Sequence, residues 1–334
     1  VKALVVESPN QARVVEIPEA RAGVGEALLQ VRMVGLCGTD LNTFRGRNAM
    51  VEFPRVLGHE IAATVVGAGD GVCAVGTHVT LSPYTACGKC PSCRRGRVNA
   101  CQFNETFGVQ RDGALTERIA VPSEKLYPAT LSLRELALVE PLTVGFHAAA
   151  RGRVTANDTV AVFGCGGVGL GAISSAAFRG ARTIAIDMDD AKLEIARKAG
   201  ATDLIHSSRE DLHARLAEIT GDGPDVMIEA IGLPATFRAA VEEVAFTGRV
   251  VYIGYAKEPV AYETRLFVQK ELDIMGSRNA LPEDFREVIR MLEEKRFPVE
   301  ETISVVAPIE EAPGLLREWS ENPAKFTKIL IGVS

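Results

Sequence analysis

The run Val160-Ala161-Val162-Phe163-Gly164-Cys165-Gly166-Gly167-Val168-Gly169 decides how this chain folds. Its four apolar residues read as a short buried strand, and the small residues from Gly167 to Arg179 read as a helix. The pattern G-x-G-x-x-G lies at the junction. Gly164 permits a tight turn, Gly166 lets the backbone approach a pyrophosphate, and Gly169 allows close helix–strand packing. Gly167 and Val168 open the helix, whose free N–H groups and partial positive charge suit phosphate. A bilayer span is the competing reading, because residues 159–178 are uncharged and long enough to cross. Five glycines crowded into residues 164–171 favour strand, turn and helix instead.

Outward from this junction the texture stays regular. Thr183–Asp187 is a second strand, ending in an acid placed to receive ribose hydroxyls. Asp187 would repel a 2′-phosphate, and Met188, Asp189 and Asp190 follow it rather than arginine, so NAD is favoured over NADP. Asp189–Ala199 is a capped amphipathic helix with Leu193 and Ala196 inward. Val226–Glu229, Arg249–Gly254 and Leu272–Met275 read as strands and Pro234–Val244 as a helix, which is the alternation of βαβ units and a parallel sheet.

Upstream the runs are β-rich: Lys2–Val6, Ala27–Gly35, Ile61–Val66, His78–Ser82 and Ala114–Val121, with no long amphipathic helix between them. Downstream come helix Pro282–Glu294, strand Thr302–Val306, helix Glu310–Asn322 and strand Lys328–Ile331. A chain of 334 residues suits two domains. The expected architecture is α/β: a doubly wound parallel-sheet domain over residues 144–277, inserted into a β-rich domain made of residues 1–143 and 278–334.

Cysteine usage adds a second signal. Cys87, Cys90, Cys93 and Cys101 fall within fifteen residues, separated by two, two and seven others. Tetrahedral zinc takes four thiolates at about 2.3 Å, so the ligands must converge from a sharply turning loop. Gly88, Pro91 and Gly96 supply the turns. Four thiolates close the coordination sphere, which makes such a site structural. Seven cysteines are an odd number, and their clustering without secretory features reads as metal binding in a reducing, cytoplasmic compartment. The short, early-charged N-terminal run is no signal peptide. Net charge is −6 and no long basic block occurs, so nucleic-acid binding is disfavoured.

A third set of residues is ordinary one by one: Cys37 and Asp40 in Val34-Gly35-Leu36-Cys37-Gly38-Thr39-Asp40, His59 and Glu60 in Gly58-His59-Glu60, and Glu140 in Glu140-Pro141-Leu142-Thr143-Val144-Gly145-Phe146-His147. The metalloprotease pattern is absent, because Ala63 stands four residues after His59. Taken with the cysteine loop and the glycine run, these segments resemble the zinc-dependent medium-chain dehydrogenases from Lys2 to Ile331. Within them the chain is similar to the polyol group of sorbitol, threonine and sugar-acid dehydrogenases. Gly276-Ser277-Arg278-Asn279-Ala280 with Pro282-Glu283-Asp284-Phe285 is similar to bacterial galactonate or gulonate oxidoreductases.

The resemblance implies a Rossmann domain inserted into a GroES-like catalytic domain, and two zinc ions per chain. It implies a catalytic zinc on Cys37, His59 and one of Glu60 and Glu140, and hydride transfer from a secondary alcohol of a polyol, sugar or sugar acid to NAD, giving a ketone. Thr39 would take the hydroxyl proton, and Asp40 would orient His59. Many relatives carry a relay histidine where this chain has Asn42, which cannot act as a base. Arg278 and Asn279 are the leading substrate contacts, since a guanidinium can clamp a carboxylate. Arg45, Arg47 and Arg111 are weaker candidates, expected at the surface, and Tyr255 is expected either at the nicotinamide or in the core. Assembly as a dimer or tetramer is implied. The competing functions are threonine 3-dehydrogenase and a non-catalytic dinucleotide-binding relative.

Overall fold

The computed structural model describes residues 1–68 and 73–333. The chain divides into two compact units, Val1–Glu140 with Val299–Ser334, and Pro141–Pro298.

In the second unit six strands, Thr159–Phe163, Arg182–Asp187, Asp203–His206, Val226–Glu229, Arg249–Tyr252 and Asp273–Gly276, form one parallel sheet. The first strand lies inside it, with the second and third on one side and the fourth to sixth on the other. That is the doubly wound order expected from the alternation of strands and helices. The chain reverses direction beside Thr159–Phe163, so the crevice at the carboxyl ends falls at the glycine run. One face of the sheet packs Ala161, Phe163, Ile184, Ile186, Met227 and Val250 against Leu216, Ala240 and Val241, and the alternate residues Val160, Val162, Ala185, Ile228 and Val251 are buried on the other. Residues 159–178 are strand, turn and helix, and among the described residues no helix is long and apolar enough to cross a membrane.

Several elements here escape the sequence reading in whole or in part. Strand Asp203–His206 has polar ends, and helix Leu212–Thr220 buries one leucine, Leu216. Helix Leu133–Arg151 carries Pro141 in its interior, where an apparent break hides its continuity. Its Gly145 meets Gly171 of helix Gly167–Phe178 so closely that a Cβ on Gly145 would lie 2.1 Å from the Ala172 nitrogen. The second unit also keeps residues 278–298, which were expected with the β-rich domain. Helix Pro282–Glu293 is tied there by Asp284 to the His147 ring (2.9 Å) and by Glu287 to Arg179 (2.7 Å).

The first unit is built on the eleven-residue strand Glu26–Leu36. It pairs with Glu60–Ala68 along one edge, and with Arg118–Pro122 and Ile329–Gly332 along the other. Burial alternates from Glu26 to Val31, as expected for one covered face. The register then shifts between Val31 and Met33, after which Val34, Gly35 and Leu36 are all buried. The chain therefore runs into the interior just before Cys37, with Gly35 opposite Glu60. In the tail the strand expected from Thr302 begins at Val305, because Val299–Thr302 forms a helical turn.

Candidate metal and dinucleotide sites

The three motif glycines answer to different constraints. Gly164 has φ +94°, which favours glycine, and a Cβ on Gly169 would lie 1.8 Å from the Gly164 carbonyl oxygen. The folded chain thus requires both. Gly166 is different: its φ is −74° and a Cβ there would meet nothing within 4 Å. Neither backbone nor packing calls for glycine, and the open space lies at the first turn of helix Gly167–Phe178, where no side chain caps the N–H groups of residues 167–169. This is the cradle a pyrophosphate would fill. Asp187 stands at the end of the neighbouring strand. It accepts from Cys165 N (2.7 Å) through one oxygen and from Met188 N (2.7 Å) and Asp189 N (3.2 Å) through the other, which fixes the acid against the glycine loop.

The cysteine loop fits zinc. All four Sγ atoms lie within 4.8 Å of one another, and Cys90 and Cys101 stand 3.9 Å apart. Tetrahedral bonds of about 2.3 Å place thiolates about 3.8 Å apart. No disulfide links them. Backbone N–H groups donate to the sulfurs instead, from Cys90 to Cys87 and from Cys87 and Phe103 to Cys101, each at 3.3 Å. Such donors favour thiolate. The Ser92 hydroxyl, with the N–H groups of Cys93 and Gln102, pulls the Cys90 thiol down to about 5.

The open set converges on His59. Cys37 Sγ lies 3.0 Å from His59 Nε2, and His59, Glu60 and Glu140 offer ligand atoms within 4.8 Å of one another. Cys37 caps helix Gly38–Phe44 and accepts from Thr39 N at 3.2 Å, so half-buried Thr39 is held at the sulfur. Asp40 is fully buried and ties the two ligand loops together, accepting from Cys37 N (2.9 Å) and Gly58 N (3.2 Å). Its Oδ1 lies 4.0 Å from His59 Nδ1, which is buried and makes no hydrogen bond. Asp40 is thus bonded to the backbone next to His59 and not to its ring. Burial pushes the Cys37 thiol up and the Glu140 carboxyl to about 7. A thiol, an imidazole and three buried carboxylates facing one ammonium make a donor set with the chemistry to hold a divalent cation.

That ammonium, Lys328, was not singled out from the sequence. It reaches Glu60 through both carboxylate oxygens, at 2.6 and 2.7 Å. Gly35 makes the room, since a Cβ there would lie 2.0 Å from Glu60 Oε2. Tyr84, also missed, is buried and donates its hydroxyl to Glu140. Its only sequence signal is a position three residues before Cys87.

Arg278 and Asn279 belong to the second unit, where they follow the edge strand Asp273–Gly276. Asn279 has φ +52°, a conformation asparagine tolerates well, which gives it a backbone reason to be there. Arg45 is bound to the Ser320 hydroxyl and carbonyl, Arg47 is exposed, and Arg111 is half-buried rather than at the surface. Tyr255 is 79% exposed, which removes the core-packing reading.

Comparison with known proteins agrees with this geometry. Residues 23–131 match the alcohol dehydrogenase GroES-like domain and residues 167–294 the zinc-binding dehydrogenase family. The chain is 34% identical to L-galactonate-5-dehydrogenase of Escherichia coli K12 over 302 residues, 88% of each chain. It is 35% identical to sorbitol dehydrogenase of Bacillus subtilis over 288 residues, 82% of this chain and 81% of that one. An alcohol dehydrogenase of Escherichia coli CFT073 complexed with NADH superposes with a TM-score of 0.91 at 28% identity, over 99% of this chain and 98% of that chain. A zinc-binding dehydrogenase of Sinorhizobium meliloti bound to NADP does so with a TM-score of 0.91 at 30% identity, with the same coverage. Homology along nearly the whole chain, together with the two cysteine-containing ligand clusters and the glycine cradle, makes this protein an oxidoreductase of the zinc-dependent medium-chain alcohol dehydrogenase family.

Proposed function

We propose that the enzyme oxidises a secondary alcohol of a polyol, sugar or sugar acid to a ketone, with hydride passing to NAD. The observation that carries this reading is the convergence of Cys37, Glu60 and Glu140 on one imidazole, 3.0 Å from the Cys37 sulfur. Cys37, His59 and Glu140 are the proposed ligands of the catalytic zinc, and Cys87, Cys90, Cys93 and Cys101 those of the structural one. Glu140 is preferred to Glu60 because Lys328 already engages both Glu60 oxygens. A zinc ion held there would supply the Lewis acidity that makes a bound hydroxyl acidic at neutral pH, as zinc lowers water from 15.7 to about 7.

The chain's own residues do the rest. Thr39 receives the hydroxyl proton, with its position tied to Cys37. Asn42 cannot pass that proton on, so it would leave through solvent near Glu140 or through the ribose of a bound cofactor. Gly164, Gly166, Gly167, Val168 and Gly169 seat the pyrophosphate, and Asp187 favours the ribose hydroxyls of NAD over a 2′-phosphate. Seven free cysteines suit a reducing cytoplasm. Association of copies would use the edge strand Asp273–Gly276, beside which Val268 and Ile274 are exposed.

An NADH-formation screen over stereoisomeric aldonates, alditols and L-threonine, with metal analysis, tests the reading. Turnover of an aldonate or alditol with two zinc ions per chain is expected. Turnover of threonine alone, or a metal-free protein that binds NADH without oxidising any of the panel, would overturn it.

A further inference from the structure

We propose that Arg111 anchors the carboxylate of an acidic substrate beside the Cys37–His59 centre, so that the enzyme prefers sugar acids to neutral polyols. This inference rests on the dehydrogenase reading above and narrows its substrate class.

Arg111 sits on a segment laid directly against the site. A Cβ on Gly108 would lie 2.8 Å from the Gly58 nitrogen, and one on Gly113 would lie 2.2 Å from the Leu57 oxygen. Backbone bonds reinforce the contact, from Gly113 N to Val56 O (2.8 Å), Ala114 N to Gly58 O (2.9 Å) and Leu115 N to Leu57 O (2.9 Å). The segment therefore follows the strand of chain that delivers His59. Its other border is Pro83-Tyr84: Phe107 N donates to Pro83 O (3.2 Å), Thr106 bridges to Tyr84, and the Tyr84 hydroxyl donates to Glu140. Arg111 is thus held between the backbone leading to one proposed ligand and the side chain bonded to another.

Its guanidinium is poised and under-used. The group lies over the Phe107 ring, 3.9 Å from the centroid, which fixes its plane. Among the described residues its one hydrogen bond is a long one to Pro83 O at 3.4 Å, and Nε is buried with no acceptor. Among the described residues no carboxylate lies at ion-pair distance from it. The adjacent acid, Asp112, is taken by Arg55 and by Val56 N, each at 3.2 Å. Burial lowers the Arg111 pKa, and the Glu105 carboxylate opposes the shift from beyond ion-pair distance. Arg45, Arg118 and Arg134 of the same unit are each bonded to Ser320, Glu19 and Glu300. Arg278 already has a partner within the chain. A planar, stacked, partly desolvated guanidinium with free N–H groups recognises a carboxylate bidentately. A neutral polyol offers hydroxyls, which form weaker bonds with it.

The test compares matched pairs, L-galactonate with galactitol and D-gluconate with sorbitol, on zinc-loaded enzyme with NAD. The wild type is expected to favour the acid. In Arg111→Met the ratio of kcat/KM for acid over alditol should fall by about 10- to 100-fold, the scale of a lost charge-assisted hydrogen bond, and should fall through KM. Arg111→Lys, which keeps the charge without the fork, should fall in between and serves if the methionine variant does not fold. Thermal protection by the acid in the presence of NADH should be lost in parallel. Arg13→Met, at an exposed arginine paired only with Glu7, should leave the ratio unchanged. A wild type that favours acids with a ratio untouched in Arg111→Met overturns the inference and leaves the dehydrogenase reading intact, as does a wild type that favours alditols. Failure to oxidise either class overturns both.

Discussion

Lys328 and Glu60, 268 residues apart in sequence, form a buried two-pronged ion pair at 2.6 and 2.7 Å, and Lys328 also donates to the Leu36 carbonyl at 3.3 Å. Glu60 is 1% exposed and Lys328 4%. The pair stitches the tail strand to the two strands that deliver Cys37 and His59. Removing one partner leaves the other charge buried, so Lys328→Met should destabilise the enzyme by about 3–5 kcal/mol. Glu60→Gln on the same background should recover part of the loss, because the stranded charge is gone. Urea unfolding of the wild type, the single variant and the double variant measures this; equal midpoints would refute it.

This pair also shows where sequence reading stops. The glycine run, the cysteine loop and Gly58-His59-Glu60 were legible because each is a local pattern whose chemistry follows from spacing. Lys328 is a lone lysine beside a short apolar strand, and nothing near it announces Glu60. Only the pairing of Ile329–Gly332 with Met33–Leu36, and of Gly35 with Glu60, puts it there. Tyr84 escaped for the same reason, since its role comes from loops folded against one another. The apolar stretch around His147 reads as helical, but the full extent of helix Leu133–Arg151 was hidden by Pro141, a residue that disfavours helix interiors.

The glycine run can be dissected by two alanines with opposite signatures. Gly166→Ala adds a Cβ into open space at an ordinary φ, so the stability of the nucleotide-free enzyme should change by less than about 1 kcal/mol, while NADH affinity falls about tenfold or more through the lost cradle. Gly169→Ala drives a Cβ to 1.8 Å from the Gly164 oxygen and should lower stability before any nucleotide is added. Thermal unfolding without nucleotide and NADH fluorescence titration separate the two. An unstable Gly166→Ala variant with wild-type affinity would contradict the assignment.

The cysteine loop should lose its metal when its hub is removed. Cys101 is fully buried, accepts from Cys87 N and Phe103 N, and stands 3.9 Å from Cys90. Cys101→Ser should therefore reduce bound zinc from two ions per chain to one and cost about 4 kcal/mol, the scale of a lost structural metal. Metal analysis of the purified variant checks the count. Retention of both ions would exclude this loop as a zinc site.

A pH effect remote from the metal ligands provides the last prediction. Asp158 accepts from Thr155 N (2.7 Å) and Thr155 Oγ1 (3.0 Å) through one oxygen and from Arg249 through the other. Burial alone would raise its pKa, but the Thr155 N–H, then Arg249 and the Thr155 hydroxyl, hold it below the ordinary 3.8. A folded value below the unfolded one means that the unfolded chain takes up the proton first as pH falls. The stabilisation is thus fully present above 3.8 and disappears as pH drops through the depressed folded value. Asp158→Asn should be less stable than the wild type by about 1 kcal/mol at neutral pH, with the gap closing in that acid window. Arg249 keeps its bonds to the Gly152 and Arg153 carbonyls at 2.8 and 3.0 Å in either protein, so the difference isolates the carboxylate. Urea unfolding of both proteins at neutral pH and in small steps below about pH 4 reads the gap directly, and a gap that stays constant down to acid unfolding would show that Asp158 titrates alike in both states.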